Sequence, residues 1–216
     1  EGDLISEIEF FFNEDGSLKN FITKGTVKNL KAELFSDFNL KKTNLSFFAD
    51  KNDILIKNIY GDIEDIKISD GDIKLNLENG IKLNSNFNSK INLEKNFFEK
   101  KIKFLEKFNF TNNIKFLKAD LNNSFSINFD NTYKVQDYNY DILGKIEKSK
   151  YELTKPIINN LITKKINEIY LSDLNIQLLF SPKQIKLNSV GKYSFNNLDF
   201  LKLNIENIIK KDLLNL

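Results

Sequence analysis

The chain alternates apolar and polar residues with a period of two, most regularly between residues 73 and 93. Apolar residues there fall on odd positions, separated by small serines, while lysine, asparagine and glutamate fall on even positions. This period predicts β-strands with one dry and one wet face, and it excludes a helix, which would scatter the same residues around its circumference. The run far exceeds an ordinary strand of about five or six residues. We therefore expect it to fold back on itself.

The turn sequences agree with one shared apolar face if the strands around them pair as antiparallel hairpins. A three-residue loop ending at Gly80 pairs Leu77 with Ile81 and Leu75 with Leu83, with the glycine in the left-handed conformation. At three further turns, hairpin pairing likewise places apolar residues opposite apolar residues. These turns pair Phe10 with Phe21 around Asp15-Gly16, Ile68 with Ile73 around a two-residue Asp70-Gly71 turn, and Phe180 with Ile185 around residues 181–184. The four turns together predict an antiparallel meander.

The alternation is interrupted at several points. The sequence Tyr60-Gly61-Asp62 predicts a break between strands, and a slip of parity before Ile66 predicts a bulge or corner at Glu64-Asp65. Residues 94–109 have both helical and alternating spacing, so a short amphipathic helix and a strand both remain open there. As a helix, this segment covers one end of the sheet or, through its lysines at 99–107, lies on an anionic membrane.

A second helix is predicted after Lys155-Pro156, because proline suits the first turn of a helix. Apolar residues follow it at spacings of three and four: Ile158, Leu161, Ile162, Ile166 and Ile169.

The amino-acid composition excludes several classes of function, but it restricts the fold less. The chain has 216 residues, a net charge of +2, no arginine, and neither His, Cys, Met nor Trp. Without arginine or a basic excess, nucleic acid is not an expected partner. Without His or Cys, the usual general base, thiol nucleophile and zinc ligands are missing. The acidic residues between 62 and 72 suit turns better than a calcium site. We expect no enzyme activity, no cofactor and no metal.

The missing methionine indicates a piece of a longer protein, and no apolar run is long enough for a membrane-spanning helix. We predict that residues 1–216 form a single repetitive β segment, with a candidate sub-boundary near 94–110. The fold class is all-β. The dry face must either pack on a second layer or curl into an elongated, twisted groove open to an apolar ligand.

Two stretches resemble the AsmA-like superfamily of envelope proteins in the order and spacing of their apolar, polar and glycine residues. They are residues 15–61, with DGSL at 15–18 and GTVKNL at 25–30, and residues 68–93, ISDGDIKLNLENGIKLNSNFNSKINL. The resemblance implies a taco-like β-groove in the periplasm of a Gram-negative bacterium. It further implies an inner-membrane anchor, absent here, and transport of phospholipid toward an outer-membrane partner. The family has no catalytic residues to carry over.

The leading hypothesis is therefore a lipid-carrying groove, in which acyl chains slide along apolar side chains of the dry face. Its predicted lining is Ile73, Leu75, Leu77, Ile81, Leu83, Phe87, Ile91, Leu117, Leu121, Phe125 and Ile127. Two polar residues at lining parity, Asn79 and Asn123, are expected at turns or strand ends. The alternative is a structural or adhesin-like β-sandwich whose dry face is a closed core. An outer-membrane protein with a lipid-facing apolar side is disfavoured by weak aromatic girdles.

Overall fold

The computed structural model describes residues 1–33, 39–78, 80–94, 113–158 and 164–210. These residues form one antiparallel sheet of eleven strands whose spatial order follows the sequence from β1 to β11. The strands are β1 (Asp3–Phe12), β2 (Leu18–Glu33), β3 (Asn39–Asp50), β4 (Asp53–Ile63), β5 (Ile66–Asn76), β6 (Ile81–Glu94), β7 (Ile114–Phe129), β8 (Val135–Ile157), β9 (Ile166–Phe180), β10 (Gln184–Phe195) and β11 (Leu201–Lys210). The predicted all-β meander is confirmed, and the sheet is open.

Three of the four predicted hairpin registers are confirmed. Gly80 adopts the expected left-handed conformation, with φ of 84°. The confirmed pairs are Phe10 with Phe21, Leu75 with Leu83, and Phe180 with Ile185. The ladder between β5 and β6 stops one pair short of Leu77 and Ile81, and the Leu77 N–H donates to the carbonyl of Asn52 at 2.7 Å. Asn79 lies outside the described residues.

The predicted Asp70-Gly71 turn is wrong, because β5 continues straight through it. Asp70 has φ of 51°, and the register against β6 shifts between Ser69 and Asp72. This is a β-bulge, in which two residues face one on the neighbouring strand. One extra residue moves the later apolar side chains from even to odd positions, and a two-residue turn has the same effect. The period alone therefore did not distinguish the two.

The predicted break at Tyr60-Gly61-Asp62 is also wrong, since these residues lie within β4. The turn between β4 and β5 falls instead at Glu64-Asp65, where a corner was one of the two expectations.

Bulges recur in neighbouring strands and bend the sheet. A left-handed residue marks the bulge in four consecutive strands, β2 to β5, and another marks the bulge in β9. These residues are Asn29, Lys42, Asn58, Asp70 and Asp173. A bulge bends its strand and increases the local twist. Each bulge also resets the parity, so that both halves of the strand place apolar side chains on the same face.

The second predicted helix is wrong at both of its described ends. Lys155 and Pro156 belong to the end of β8, and Ile166 and Ile169 belong to β9. Ile157 pairs with Ile166 across the hairpin. Pairing with neighbouring strands overrides a local helical spacing over so short a stretch. Leu161 and Ile162 lie outside the described residues.

Nearly all of the first helix candidate, at residues 94–109, also lies outside the described residues. The flanking strands β6 and β7 pair with each other from Ile81 and Phe129 to Glu94 and Phe116, so the sheet is continuous across the candidate sub-boundary. Within the described ranges, no helix is long and apolar enough to cross a membrane.

Candidate functional site

One face of the sheet is apolar across most of its strands, and no described element covers it. A row of paired residues crosses seven strands on this face: Phe47, Ile56, Ile73, Ser85, Phe125, Tyr140 and Phe180. Among the described residues only four hydrophobic side chains are buried, namely Leu93, Ala119, Ile166 and Leu174. A sandwich of this size would bury far more, because its two inner faces interdigitate. The described residues form one layer, not two packed sheets.

The bent sheet forms a recess on its apolar face between β3 and β7. The recess has a volume of about 250 Å³. Its walls are side chains from five consecutive strands: Leu40, Thr43, Leu45, Ile56, Ile59, Ile63, Ile68, Gly71, Ile73, Ser85, Phe87 and Phe125. Side chains from five strands converge on one recess only if the sheet is concave there. We call this hollow the first recess.

A second recess of about 320 Å³ lies on the same apolar face, farther along β7 and reaching to β9. Its lining is Ile114, Leu117, Ile146, Ser149, Lys150, Tyr151, Ile169 and Leu171. On β7, Leu117 of this recess lies eight positions from Phe125 of the first recess, which corresponds to about 26 Å of strand. The apolar face therefore offers two hollows joined by continuous apolar sheet.

The predicted lining residues lie on this face, in three groups. Ile73, Phe87 and Phe125 line the first recess, and Leu117 lines the second. Ile91 and Leu121 lie between the two hollows, in rows that pair with Ala119 and Ser89. The remaining residues lie toward the turn between β5 and β6: Leu75, Leu83 and Ile127 in one row, Ile81 paired with Phe129, and Leu77 beyond the end of β5 with 37% exposure.

The lining contributed by β3 and β4 was missed by the sequence prediction. Leu40, Leu45, Ile56, Ile59 and Ile63 line much of the first recess. The bulges at Lys42 and Asn58 change parity inside both strands, so no single alternation runs through them. A search that permits one register slip per strand would find these residues.

Aromatic side chains form the floor of the first recess and continue beyond it. Phe125 makes edge-to-face contacts with Phe87 on one side and Tyr140 on the other, each at 6.3 Å between ring centroids. Tyr138 stacks on Phe180 at 5.5 Å. Such pairs add about 0.5–1.5 kcal/mol beyond the area they bury. They stiffen the sheet between β6 and β9.

Asn123 lies at the centre of the apolar face, not at a strand end as the sequence predicted. It is 3% exposed, in the middle of β7. Its amide nitrogen donates to Ser89 Oγ at 2.9 Å, and its amide oxygen accepts from the Tyr140 hydroxyl at 2.9 Å. A buried amide is stable where neighbours satisfy its hydrogen bonds. Burial also raises the pKa of the Tyr140 hydroxyl, which therefore stays protonated as the donor.

We expect Asn123→Ala to lower the free energy of unfolding by about 2 kcal/mol, because it leaves the Ser89 and Tyr140 hydroxyls without their partner in a buried site. Urea unfolding followed by circular dichroism measures this. Asn122→Ala is the matched control, since exposed Asn122 faces the opposite side and donates only to half-buried Asn88. An equal loss from both variants would show that the buried contacts of Asn123 contribute nothing special.

The opposite, polar face holds the bulges in place through side-chain hydrogen bonds. Asp70 accepts from the Tyr60 hydroxyl at 2.6 Å and from the Asn88 amide at 3.1 Å, and these bonds lower the pKa of its carboxyl. Asn122 extends the chain by donating to Asn88 at 2.9 Å. In the described part of the chain, no three His, Cys, Asp or Glu side chains are grouped as a metal site.

Comparison with known proteins identifies no matching family model, no similar curated protein and no similar solved structure. The fold class stands on the structure itself: an open, single-layer, antiparallel meander with one apolar concave face.

Proposed function

We propose that this chain is a lipid-carrying segment that holds the acyl chains of phospholipid along its apolar face. The observation that carries the proposal is the uncovered apolar face, with a first recess walled almost entirely by hydrocarbon side chains. A soluble protein rarely leaves so large an apolar surface without a partner. An acyl chain suits a long, shallow and continuous surface better than a compact ligand does.

The dimensions of the sheet support the same assignment. Eleven strands at a spacing of about 4.8 Å span about 48 Å across the sheet. The apolar rows run in this direction, perpendicular to the strands. A surface of that length accommodates extended hydrocarbon chains and gives them a path from one edge strand to the other.

The energetics of burial allow movement along this path. Each buried methylene contributes about 0.8 kcal/mol wherever it lies on an apolar surface. Leucine, isoleucine and phenylalanine recur in successive rows, so a chain that slides by one row exchanges similar contacts. The hydrogen-bonding groups of Asn123 are used within the sheet and place no polar barrier in the path.

The cellular setting of this proposal rests on the AsmA-like resemblance of residues 15–61 and 68–93. On that resemblance we propose that the chain lies in the periplasm, within a longer protein anchored in the inner membrane, and carries phospholipid toward the outer membrane. The alternative is a structural module that uses the same sheet without a ligand.

Native mass spectrometry of the purified chain, followed by lipid extraction, separates these alternatives. We expect phospholipid to co-purify at a defined stoichiometry and to be removed by extraction with organic solvent. A stable monomer that carries no lipid, and takes up none when incubated with phospholipid vesicles, would favour the structural module.

A further inference from the structure

Among the described residues, the hairpin formed by β8 and β9 continues past the last pairs that it forms with β7 and β10 at one edge of the sheet. The pairing of β7 with β8 ends at Ile114 and Tyr151, whereas β8 continues to Ile157 and pairs there with Ile166 of β9. On the other side, the pairing of β9 with β10 ends at Ile169. We call the protruding described residues, 153–158 and 164–166, the hairpin end.

The hairpin end combines exposed apolar side chains with unpaired lysines. Ile157 and Ile158 are 45% and 67% exposed. Three exposed lysines, Lys155, Lys164 and Lys165, flank them, and none forms an ion pair with a described residue. Exposed isoleucines beside lysines suit an interface that is apolar beneath an anionic surface.

The carboxylates nearest to the hairpin end are already neutralised. Glu152 pairs with Lys115 at 2.8 Å, and Glu168 pairs with Lys150 at 2.7 Å. The bonds to Lys150 and Tyr170 lower the pKa of Glu168, so it remains an ion-pair partner at neutral pH. The three lysines therefore carry a positive charge that no described carboxylate compensates through an ion pair.

The base of the hairpin end is held in position by Asn196. Its amide oxygen accepts from the N–H groups of Asn167 and Glu168 at 2.9 and 3.1 Å, and its amide nitrogen donates to the Lys165 carbonyl at 2.7 Å. The lysines and isoleucines are thus presented from an ordered support.

The turns at the opposite edge of the sheet carry the opposite charge. Residues 13–17, 50–53, 77–80, 130–134 and 181–184 contain six carboxylates against three lysines. Hydrogen bonds from their own turns lower the pKa of Asp15, Asp50 and Asp130, so these groups remain ionised well into acid. An anionic surface would repel this edge. The edge that carries the hairpin end also has carboxylates, in the Glu64-Asp65 turn and at Asp199, so among the described residues its excess of positive charge is confined to the hairpin end.

We propose that the hairpin end docks this protein on the surface of an anionic phospholipid bilayer. Ile157 and Ile158 enter the boundary between headgroups and acyl chains, while the three lysines contact the headgroup phosphates. The attachment orients the sheet with this edge toward the membrane and the acidic turns away from it. This inference does not depend on lipid being held on the apolar face.

Co-sedimentation with vesicles tests the docking directly. We expect the chain to bind vesicles of phosphatidylcholine with about one-third phosphatidylglycerol, to bind pure phosphatidylcholine much less, and to be released by 0.5 M salt, on the order of the concentration that shortens the Debye length below 5 Å. Each lysine near an anionic surface contributes a factor of about five to partitioning, so Lys164→Gln with Lys165→Gln should weaken binding about 25-fold. Ile158→Ser should weaken it about tenfold.

Matched controls lie elsewhere on the same sheet. Lys134→Gln with Lys183→Gln removes two lysines from the acidic edge, and Ile208→Ser removes an isoleucine that is 48% exposed on β11. Neither should change vesicle binding. Equal losses from the control variants, equal binding to neutral vesicles, or no binding at all would overturn the proposal. Leu83→Asp, which alters only the apolar face, should dock normally, so this result separates docking from lipid carriage.

Discussion

Leu83→Asp is expected to remove co-purifying lipid from the apolar face while leaving the sheet folded. Leu83 lies between Leu75 and Ile127 on neighbouring strands of the apolar face, toward the turn between β5 and β6. Removing its contacts with an acyl chain costs about 2 kcal/mol of binding free energy, or roughly 30-fold in occupancy. The desolvation of the new carboxylate beneath the lipid lowers occupancy further. Lipid per protein, measured by extraction and mass spectrometry, gives the result.

The fold should tolerate this change because Leu83 is only half-buried, so an aspartate there reaches water when the face is empty. Asn84→Asp is the matched control, with the same added charge on the adjacent residue of the polar face. It should retain lipid at the wild-type level. An unfolded Leu83→Asp protein would mean that the face is a structural core, and unchanged lipid content would mean that lipid is bound elsewhere.

Gly144→Ala is expected to lower the free energy of unfolding by about 3 kcal/mol, the upper part of the range for overpacking. A methyl group on Gly144 would collide with the Asp120 carbonyl oxygen and would lie 2.8 Å from Leu121 Cα. Both are backbone atoms, so β7 and β8 must separate to accommodate it. Urea unfolding measures the loss, and amide hydrogen exchange should show faster exchange along the pairing of β7 with β8.

Asn139→Ala provides the control for Gly144→Ala, because Asn139 is an exposed residue of the same strand. Its stability should change by less than about 0.5 kcal/mol, as is usual at exposed sites. A Gly144→Ala protein as stable as the wild type would show that the two strands move apart at little cost.

The successes and errors of the sequence prediction have a common origin in the period of two. Around Asp15-Gly16 and Gly80 the alternation runs unbroken on both sides of the turn, and the predicted registers are confirmed. At Asp70-Gly71 the parity change was correctly detected but assigned to a turn instead of a bulge. The side chains of Ile68 and Ile73 face the same way in either case, so the residues of the apolar face were predicted correctly although their pairing was not.

Asn123 illustrates the second kind of error. Its parity placed it on the apolar face, and its polarity suggested a strand end. Its burial in mid-strand depends on Ser89, 34 residues away, and on Tyr140, 17 residues away. No local pattern shows that both hydroxyls converge on one amide.

The sequence by itself determined most of the strands, the antiparallel meander and the side chains of β5 to β7 that share the apolar face, because all three follow from alternation and turn residues within a few positions. Only the tertiary structure decided that the sheet stays a single open layer, that bulges in neighbouring strands bend it, and that five strands converge on one recess. These features depend on contacts between residues far apart in the chain and on bulges, which alter parity just as turns do. A period of two therefore specifies which side chains share the apolar face, and the register between strands, with its bulges, determines how that face is curved.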